Sequence, residues 1–361
     1  MSEEEERSGS EGRWSVSRIQ DWWARQPWWT GCNFIPSTAI NQLEMWQAET
    51  YDAETIDREL GWLAELGFNT VRVYLHDLLW VQDAPGFLQR VEAFLAAADR
   101  HGVGSILVLF DDVWHPEPRL GVQPAPHPSR HNSGWVQGPG LAALRAYRDD
   151  PLVADRLEQY VFGVVSHFSE DSRVRAWDVY NEPGGFSSPG ADPSGDLCLP
   201  LLEDVFVWAR AARPSQPLTS GLWWWNDEKP LPEGIEELQR AQSDIISFHH
   251  YGPPDELEKL CERLSDELKR PLVCTEYLAR PMKSLFETHL PIFRDRKIGA
   301  IHWGFVSGKT QTVYPWWSWF DEEPKPEPDV WFHDLLRPDG SPFDAAEADF
   351  LKDFLSSTKT S

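Results

Sequence analysis

Eight short apolar, β-rich runs recur along this chain, each followed by a helical pattern or by a loop long enough to contain one. They begin near Gly31 (GCNFIP), Phe68 (FNTVRVYL), Gly104 (GSILVLFDD), Val174 (VRAWDVYNEP), Pro217 (PLTSGLWWW), Asp244 (DIISFHHYG), Pro271 (PLVCTEY) and Ala300 (AIHWGFVSG). Their starts lie 27 to 43 residues apart, room for one strand, one helix and two loops, except for a 70-residue gap after the third. The runs are nearly continuous in hydrophobicity rather than alternating, the pattern of parallel strands covered on both faces. Between them, Ile56, Leu60 and Leu63 share one helical face that stops at Gly67, a residue suited to a C-cap. Phe87, Val91, Phe94, Leu95 and Ala98 repeat that spacing before His101-Gly102. Asp150-Pro151 opens a further helix, with proline where its missing N–H costs nothing. Leu257, Leu260, Cys261, Leu264 and Leu268 make another stripe, and the last helix is expected over about Phe343–Phe354. Eight βα units predict α/β architecture as a single (β/α)8 TIM barrel. A doubly wound open sheet would usually carry a glycine-rich phosphate loop after its first strand, and the sequence there, NFIPSTAIN, has no glycine.

Composition narrows the partners. Acidic residues outnumber basic ones 58 to 33, a formal charge of −25. Such a surface repels nucleic-acid phosphates and anionic membranes, so neither is expected as a partner. Hydrophobic residues at 41% suffice for a large core, and no window approaches 18 consecutive apolar residues. Residues 1–13, beginning MSEEEERSGSEG, read as a disordered acidic tail without the basic and apolar segments of a secretory signal. The barrel domain is expected over 14–357. Cys32, Cys198, Cys261 and Cys274 show no CxxC spacing, which fits reduced thiols and a cytoplasmic location. The chain holds 20 Trp, and the indole N–H needs a partner when buried. Many of them therefore line a cleft, or the core is unusually aromatic.

In a barrel, polar residues at the C-terminal strand ends face the mouth. In order these are Asn33, Arg72 within its strand, Asp111 and Asp112, Asn181 and Glu182, Trp223 to Trp225, His249 to Tyr251, Glu276 and Tyr277, and Trp303. Glu182 and Glu276 end otherwise apolar strands, where a carboxylate is partly desolvated and needs partners or an altered pKa. A strand-end Glu is as often a salt-bridge partner as a site residue. Asn before Glu182 and Pro after it are harder to explain by packing. Two carboxylates facing one cleft are the minimum equipment for glycosidic cleavage, one protonating the leaving oxygen and the other attacking the sugar carbon.

On these residues the sequence resembles the glycoside hydrolases of clan A, nearest to family 5, the cellulase and mannanase group, from Gly31 to about Phe354. The resemblance makes Glu182 of Asn181-Glu182-Pro183 the general acid/base and Glu276 the nucleophile. It implies that Arg72 supports the nucleophile and that His249 and Tyr251 form the His-any-Tyr pair of the sixth strand, the tyrosine hydroxyl near Glu276. It places Trp303 under the sugar being cleaved, with Asn181 binding that sugar. Asp112, Trp114 and Asn33 are further substrate-binding candidates. The histidine that often ends the third strand in this family is replaced here by Asp111 and Asp112, with Trp114 and His115 following. The loop carrying His127, His131, Asn132 and Trp135 has no counterpart in well-known cellulases.

Two long loops, 111–140 and 307–342, follow strands three and eight and so sit over the mouth. Together with the absence of an export signal they favour an exo-acting retaining β-glycosidase that trims oligosaccharides or glycosides. An endo-acting glucanase, mannanase or xylanase and a weakly catalytic carbohydrate-binding barrel are the alternatives. An aldolase would need a strand-end Lys, and a metal-dependent hydrolase a strand-borne His-any-His pair; neither occurs at these strand ends. His249 and His250 are adjacent on a strand and point to opposite sides, and His127 and His131 flank a proline-containing loop, so no metal or other cofactor is expected. Lys309 and Gln311 are possible sugar hydrogen-bonders. Trp224 or Trp225 is expected to reach the cleft, whereas Trp316, Trp317 and Trp319 serve either as loop anchors or as sugar platforms.

Overall fold

A computed structural model describes residues 12–185, 187–223 and 232–357. The eight strands form where the apolar runs place them: β1 Thr30–Asn33, β2 Thr70–Tyr74, β3 Gly104–Val108, β4 Val174–Asp178, β5 Leu218–Thr219, β6 Ile246–His249, β7 Leu272–Glu276 and β8 Gly299–His302. All pairings are parallel, in the order β5-β4-β3-β2-β1-β8-β7-β6. The β5–β6 seam is closed just past the short β5 by the Leu222↔Phe248 bridge and by a 2.7 Å hydroxyl contact between Thr219 and Ser247. The architecture is a (β/α)8 barrel.

Helices 53–65, 151–167, 254–268 and 345–357 match their sequence patterns to within a few residues. The helix expected from Phe87 instead begins at Asp77 and breaks at Asp83, whose carboxylate accepts from Gly86 N just after Pro85. Proline cannot continue the ladder, so a second helix starts with Asp83 as its cap. Inside the barrel, Ile106, Ala176, Ile245, Val273 and Ile301 pack on Trp29, Trp14 and Ile19, and Trp22 and Trp23 join them from helix Val16–Trp23. These indoles close the bottom of the barrel, Trp23 lying 4.7 Å from Trp29 edge to face. Arg13 donates to the carbonyls of Ser243 and Arg240, which fixes the chain before that helix. The acidic stretch 1–11 lies outside the described residues, as do Trp224 and Trp225. No described helix is long and apolar enough to cross a membrane.

Candidate active site

The strand ends converge on a cleft of about 370 Å³ lined by Asp111, Trp114, Asn181, Glu182, His249, Tyr251, Glu276 and Trp303 among others. Glu182 follows an extended segment after β4 and takes a left-handed φ of 45°. Pro183 disfavours the right-handed helical region at the residue before it, and Gly185 N closes the turn onto Glu182 O at 2.9 Å. Strained backbone of this kind persists only where surrounding structure enforces it. Glu276 is the last residue of β7.

The two carboxyl groups have different surroundings. Glu276 Oε1 accepts from Arg72 Nη1 at 3.0 Å and from the Tyr74 hydroxyl at 3.1 Å, while its Oε2 accepts from the Tyr251 hydroxyl at 2.7 Å. Glu182 Oε1 lies 2.7 Å from His249 Nδ1. Burial drives the Glu182 pKa up to about 8, opposed by the more distant Arg72 charge. Burial also raises Glu276 and the neighbouring Glu182 adds to the shift, while His249, Arg72 and the Tyr251 hydrogen bond oppose it. Near neutral pH, Glu182 therefore holds a proton, while Glu276 is the carboxyl whose partners, Arg72 and two tyrosine hydroxyls, favour the charged form. His249 is kept neutral, its pKa lowered to about 4 by burial.

Arg72 is fully buried and organises the barrel mouth from beneath. Its guanidinium donates to Asp178 Oδ2 from Nε (3.0 Å) and Nη2 (2.8 Å), to Asn181 Oδ1 (2.6 Å) and to Asn33 Oδ1 (2.7 Å). A planar fork with five donors suits this task, and a lysine would satisfy few of these acceptors. Asn181 in turn donates Nδ2 to Asp111 Oδ1 at 2.9 Å, and Trp135 donates to Asp111 Oδ2 at 2.6 Å.

Not every sequence candidate reaches the cleft. Asp112 is fully buried and turned toward the loop after β4, accepting from the Tyr180 hydroxyl (2.7 Å), Gly184 N (3.0 Å) and the Ser194 hydroxyl (2.7 Å). It fastens the turn that carries Glu182 and has no position from which to bind sugar. Asn33 likewise sits behind the site, accepting from Arg72 and donating to the carbonyls of Thr275 (2.8 Å) and His302 (3.1 Å). Lys309 pairs with Glu44 at 2.6 Å, and Gln311 links Ser129 N to His127 O, so both hold loops rather than line the cleft. Trp316 lines the cleft, Trp319 donates to His131 O and stacks on Trp114, and Trp317 packs on Phe332 with half its surface exposed.

Tyr74 and Asp178 are additions to the sequence-derived set. Tyr74 was legible in principle, since it stands two residues beyond Arg72 on the same strand face. Asp178 looked like one more position inside an apolar strand, and only its pairing with Arg72 across 106 residues reveals it. Trp135, His131 and Asn132 come from the loop after β3 and meet the loop after β8 in the cleft wall.

Among the described residues, Glu182, His249 and Glu276 offer one ligand atom each within 4.8 Å of one another. That set has the donor chemistry for a divalent ion. The Arg72 guanidinium, 3.0 Å from Glu276, already supplies a positive charge there and would repel a second cation.

No protein-family model and no curated protein matches this sequence. Solved structures do resemble it. The endo-1,4-β-mannanase from Rhizomucor miehei superposes with a TM-score of 0.59 at 11% identity, covering 93% of this chain and 96% of that one. The endo-β-1,4-mannanase from Thermotoga petrophila gives 0.58 at 14% identity, covering 93% and 78%. An exo-β-1,4-mannosidase from Opitutaceae bacterium strain TAV5 gives 0.56 at 17% identity, covering 92% of this chain and 60% of that one. The chain thus shares with these proteins the (β/α)8 barrel over nearly its whole length.

Proposed function

We propose that this protein is a retaining β-glycoside hydrolase that acts by double displacement. The observation that carries the reading is the divided pair of carboxyl groups: Glu182 protonated beside His249, and Glu276 held by donors from Arg72, Tyr74 and Tyr251 that favour its charged form, on one tryptophan-lined cleft. In the first step Glu276 attacks the anomeric carbon as Glu182 gives its proton to the leaving oxygen. In the second, Glu182 takes a proton from water, whose oxygen displaces Glu276 from the sugar. Glu182 and Glu276 oxygens within 4.8 Å of one another support the short separation that retention requires, about 5–5.5 Å between carboxyl groups. Asn181, held at both ends by Arg72 and Asp111, presents its remaining N–H to the sugar, and Trp303 offers a ring face to it.

The substrates to test first are β-mannosides, because the similar barrels named above include mannanases and a mannosidase. Exo action is part of the proposal. The wall formed by Trp135, Trp303 and Trp316 packs on Tyr74 and Tyr251, the two tyrosines that hold Glu276. In this reading the wall bounds the glycone side of the sugar that Glu276 attacks. Glu256 and Met282, which also line the cleft, are exposed. A cytoplasmic location belongs to the same reading and is supported by four buried free cysteines.

A panel of aryl β-glycosides with intact-mass detection of an adduct on Glu276 tests the reaction. Hydrolysis abolished by both Glu182→Gln and Glu276→Gln, in folded protein, is the expected result; activity within tenfold of wild type in either variant overturns the roles. The metal cluster geometry favours one second reading, a metal-dependent hydrolase. Activity unchanged after exhaustive EDTA treatment is expected, and loss with recovery on adding Zn²⁺ or Mn²⁺ would establish the second reading instead.

A further inference from the structure

Glu182 is bracketed by a single residue from the neighbouring strand end. Asp112 N donates to Asn181 O at 3.3 Å, on the chain just before Glu182. Asp112 Oδ2 accepts from Gly184 N at 3.0 Å, on the chain just after it. The same oxygen takes the Ser194 hydroxyl at 2.7 Å, and Oδ1 takes the Tyr180 hydroxyl at 2.7 Å. Between the two backbone contacts Glu182 keeps its φ of 45°, a conformation that residues with a Cβ rarely hold. Asp112 therefore supplies much of what enforces that strain.

The donors to the carboxylate are not equivalent. The Tyr180 and Ser194 hydroxyls can rotate, and each can accept as well as donate. The Gly184 N–H is fixed by the backbone and is left unmatched when its acceptor goes. Without that anchor the turn is free to relax toward negative φ at Glu182, which carries the carboxyl away from His249 Nδ1, now 2.7 Å distant. The nucleophile keeps its place, because its donors are Arg72, Tyr74 and Tyr251, none of which hydrogen-bonds Asp112.

We infer that Asp112 is the positioning residue of the acid/base: its carboxylate holds Glu182 in a strained conformation over the cleft and so decides which leaving groups this enzyme can expel. The inference rests on the glycosidase reading above and adds to it a residue that touches no substrate.

The test follows kcat/KM, which reports the step where Glu182 gives up its proton, on a dinitrophenyl and an alkyl glycoside of one hydrolysed sugar. Asp112→Ala is expected to lower it about hundredfold on the alkyl glycoside, which needs the proton, and scarcely on the dinitrophenyl one. On the latter kcat and KM should fall together, since freeing Glu276 still requires Glu182 as base. The alkaline limit of kcat/KM on the alkyl glycoside, set by Glu182 at about 8, should move to lower pH as the carboxyl gains water. The groups that face Glu182, namely His249, Arg72, Glu276, Tyr251 and Asp111, are the same in both proteins. Asp112→Asn keeps an oxygen for Gly184 N and can turn its amino group to the Tyr180 hydroxyl, so it should recover most of the loss. Tyr180→Phe and Ser194→Ala remove bonds to the same carboxylate but spare Gly184, and should lower the melting temperature without altering leaving-group dependence.

Equal losses on both glycosides, no loss on the alkyl one, or the same selective loss in Tyr180→Phe and Ser194→Ala would overturn the inference. If Asp112→Ala does not fold, Asp112→Glu, which keeps the charge but displaces the acceptor by one carbon, decides on the same two glycosides. The reaction itself is judged by Glu182→Gln and Glu276→Gln. If those abolish turnover while the Asp112 variants lose both substrates alike, the positioning claim alone is lost; if wild type hydrolyses no glycoside, both fall.

Discussion

Glu182 joins a chemical and a thermodynamic consequence in one side chain. Its folded pKa of about 8 stands well above the ordinary 4.5, so the native state binds a proton that the unfolded chain releases. Its contribution to stability is therefore complete below about pH 4.5 and is lost as pH rises through about 8. Glu182→Gln, which needs no proton, should raise the melting temperature relative to wild type more at pH 9 than at pH 5; an equal difference at both would contradict the raised pKa. For the reaction, kcat/KM on substrates with poor leaving groups should fall above about pH 8, as the acid loses its proton. With an activated aryl leaving group that needs little protonation, Glu182→Ala should still form the adduct on Glu276. Arg72 is a positioning residue with a different signature. Arg72→Lys keeps one charge but abandons most of the acceptors on Asp178, Asn181 and Asn33, and leaving buried carboxylates unpaired costs about 3–5 kcal/mol. Chemical denaturation should show that loss together with a fall in kcat, and a variant as stable and active as wild type would remove Arg72 from this role.

At the scale of elements, the pairing of β1 with β2 depends on the absence of a side chain. Gly31 pairs with Thr70, and a Cβ on Gly31 would lie 1.6 Å from the Thr70 carbonyl oxygen. Backbone cannot give way as a flexible side chain does, so Gly31→Ala should fail to fold or melt far below wild type in calorimetry. The joined loops behave otherwise. Gln311 connects Ser129 N (2.8 Å) and His127 O (2.7 Å) across 182 and 184 positions of sequence. Gln311→Ala should speed hydrogen exchange in 127–135 and raise KM with little effect on kcat, because the wall holds substrate without touching the reacting atoms. The two loops were legible as long insertions over the mouth. Their mutual attachment was not, since it consists of single hydrogen bonds between distant segments with no periodicity to announce it.

Across the whole molecule, charge and buried acids act in the same direction. A formal charge of −25 makes the compact state repel itself. Burial raises Glu59 to about 7 and both Asp112 and Asp334 to about 6, in addition to Glu182. Each of these groups stabilises the fold when protonated and stops doing so as pH rises through its folded value. The melting temperature should therefore be higher near pH 5.5 than near pH 8.5, and added salt should raise it most at the alkaline end. A maximum above pH 8 at low salt would contradict this. Two groups of indoles mark the two ends of the barrel: Trp14, Trp22, Trp23 and Trp29 seal its bottom, while Trp114, Trp135, Trp223, Trp303 and Trp316 line the cleft, and others such as Trp46 and Trp177 are buried in the core between strands and helices.

The sequence by itself determined the order and direction of the strands, because burial on both faces imposes a continuous apolar run wherever a parallel strand forms. It also determined which residues stand at the C-terminal strand ends, and hence that Glu182, Glu276, Arg72, Asn181, His249, Tyr251 and Trp303 gather at one mouth. Only the tertiary structure decided what each of them touches. Asp112 and Asn181 both follow strands, yet one fastens a turn and the other faces the cleft, because a single φ or rotamer sends a polar side chain to either side of the backbone. Asp178 under Arg72, Tyr74 on Glu276 and Asp112 against Gly184 depend on partners brought close by closure of the barrel and of its loops, and local hydrophobic period carries no record of such distances.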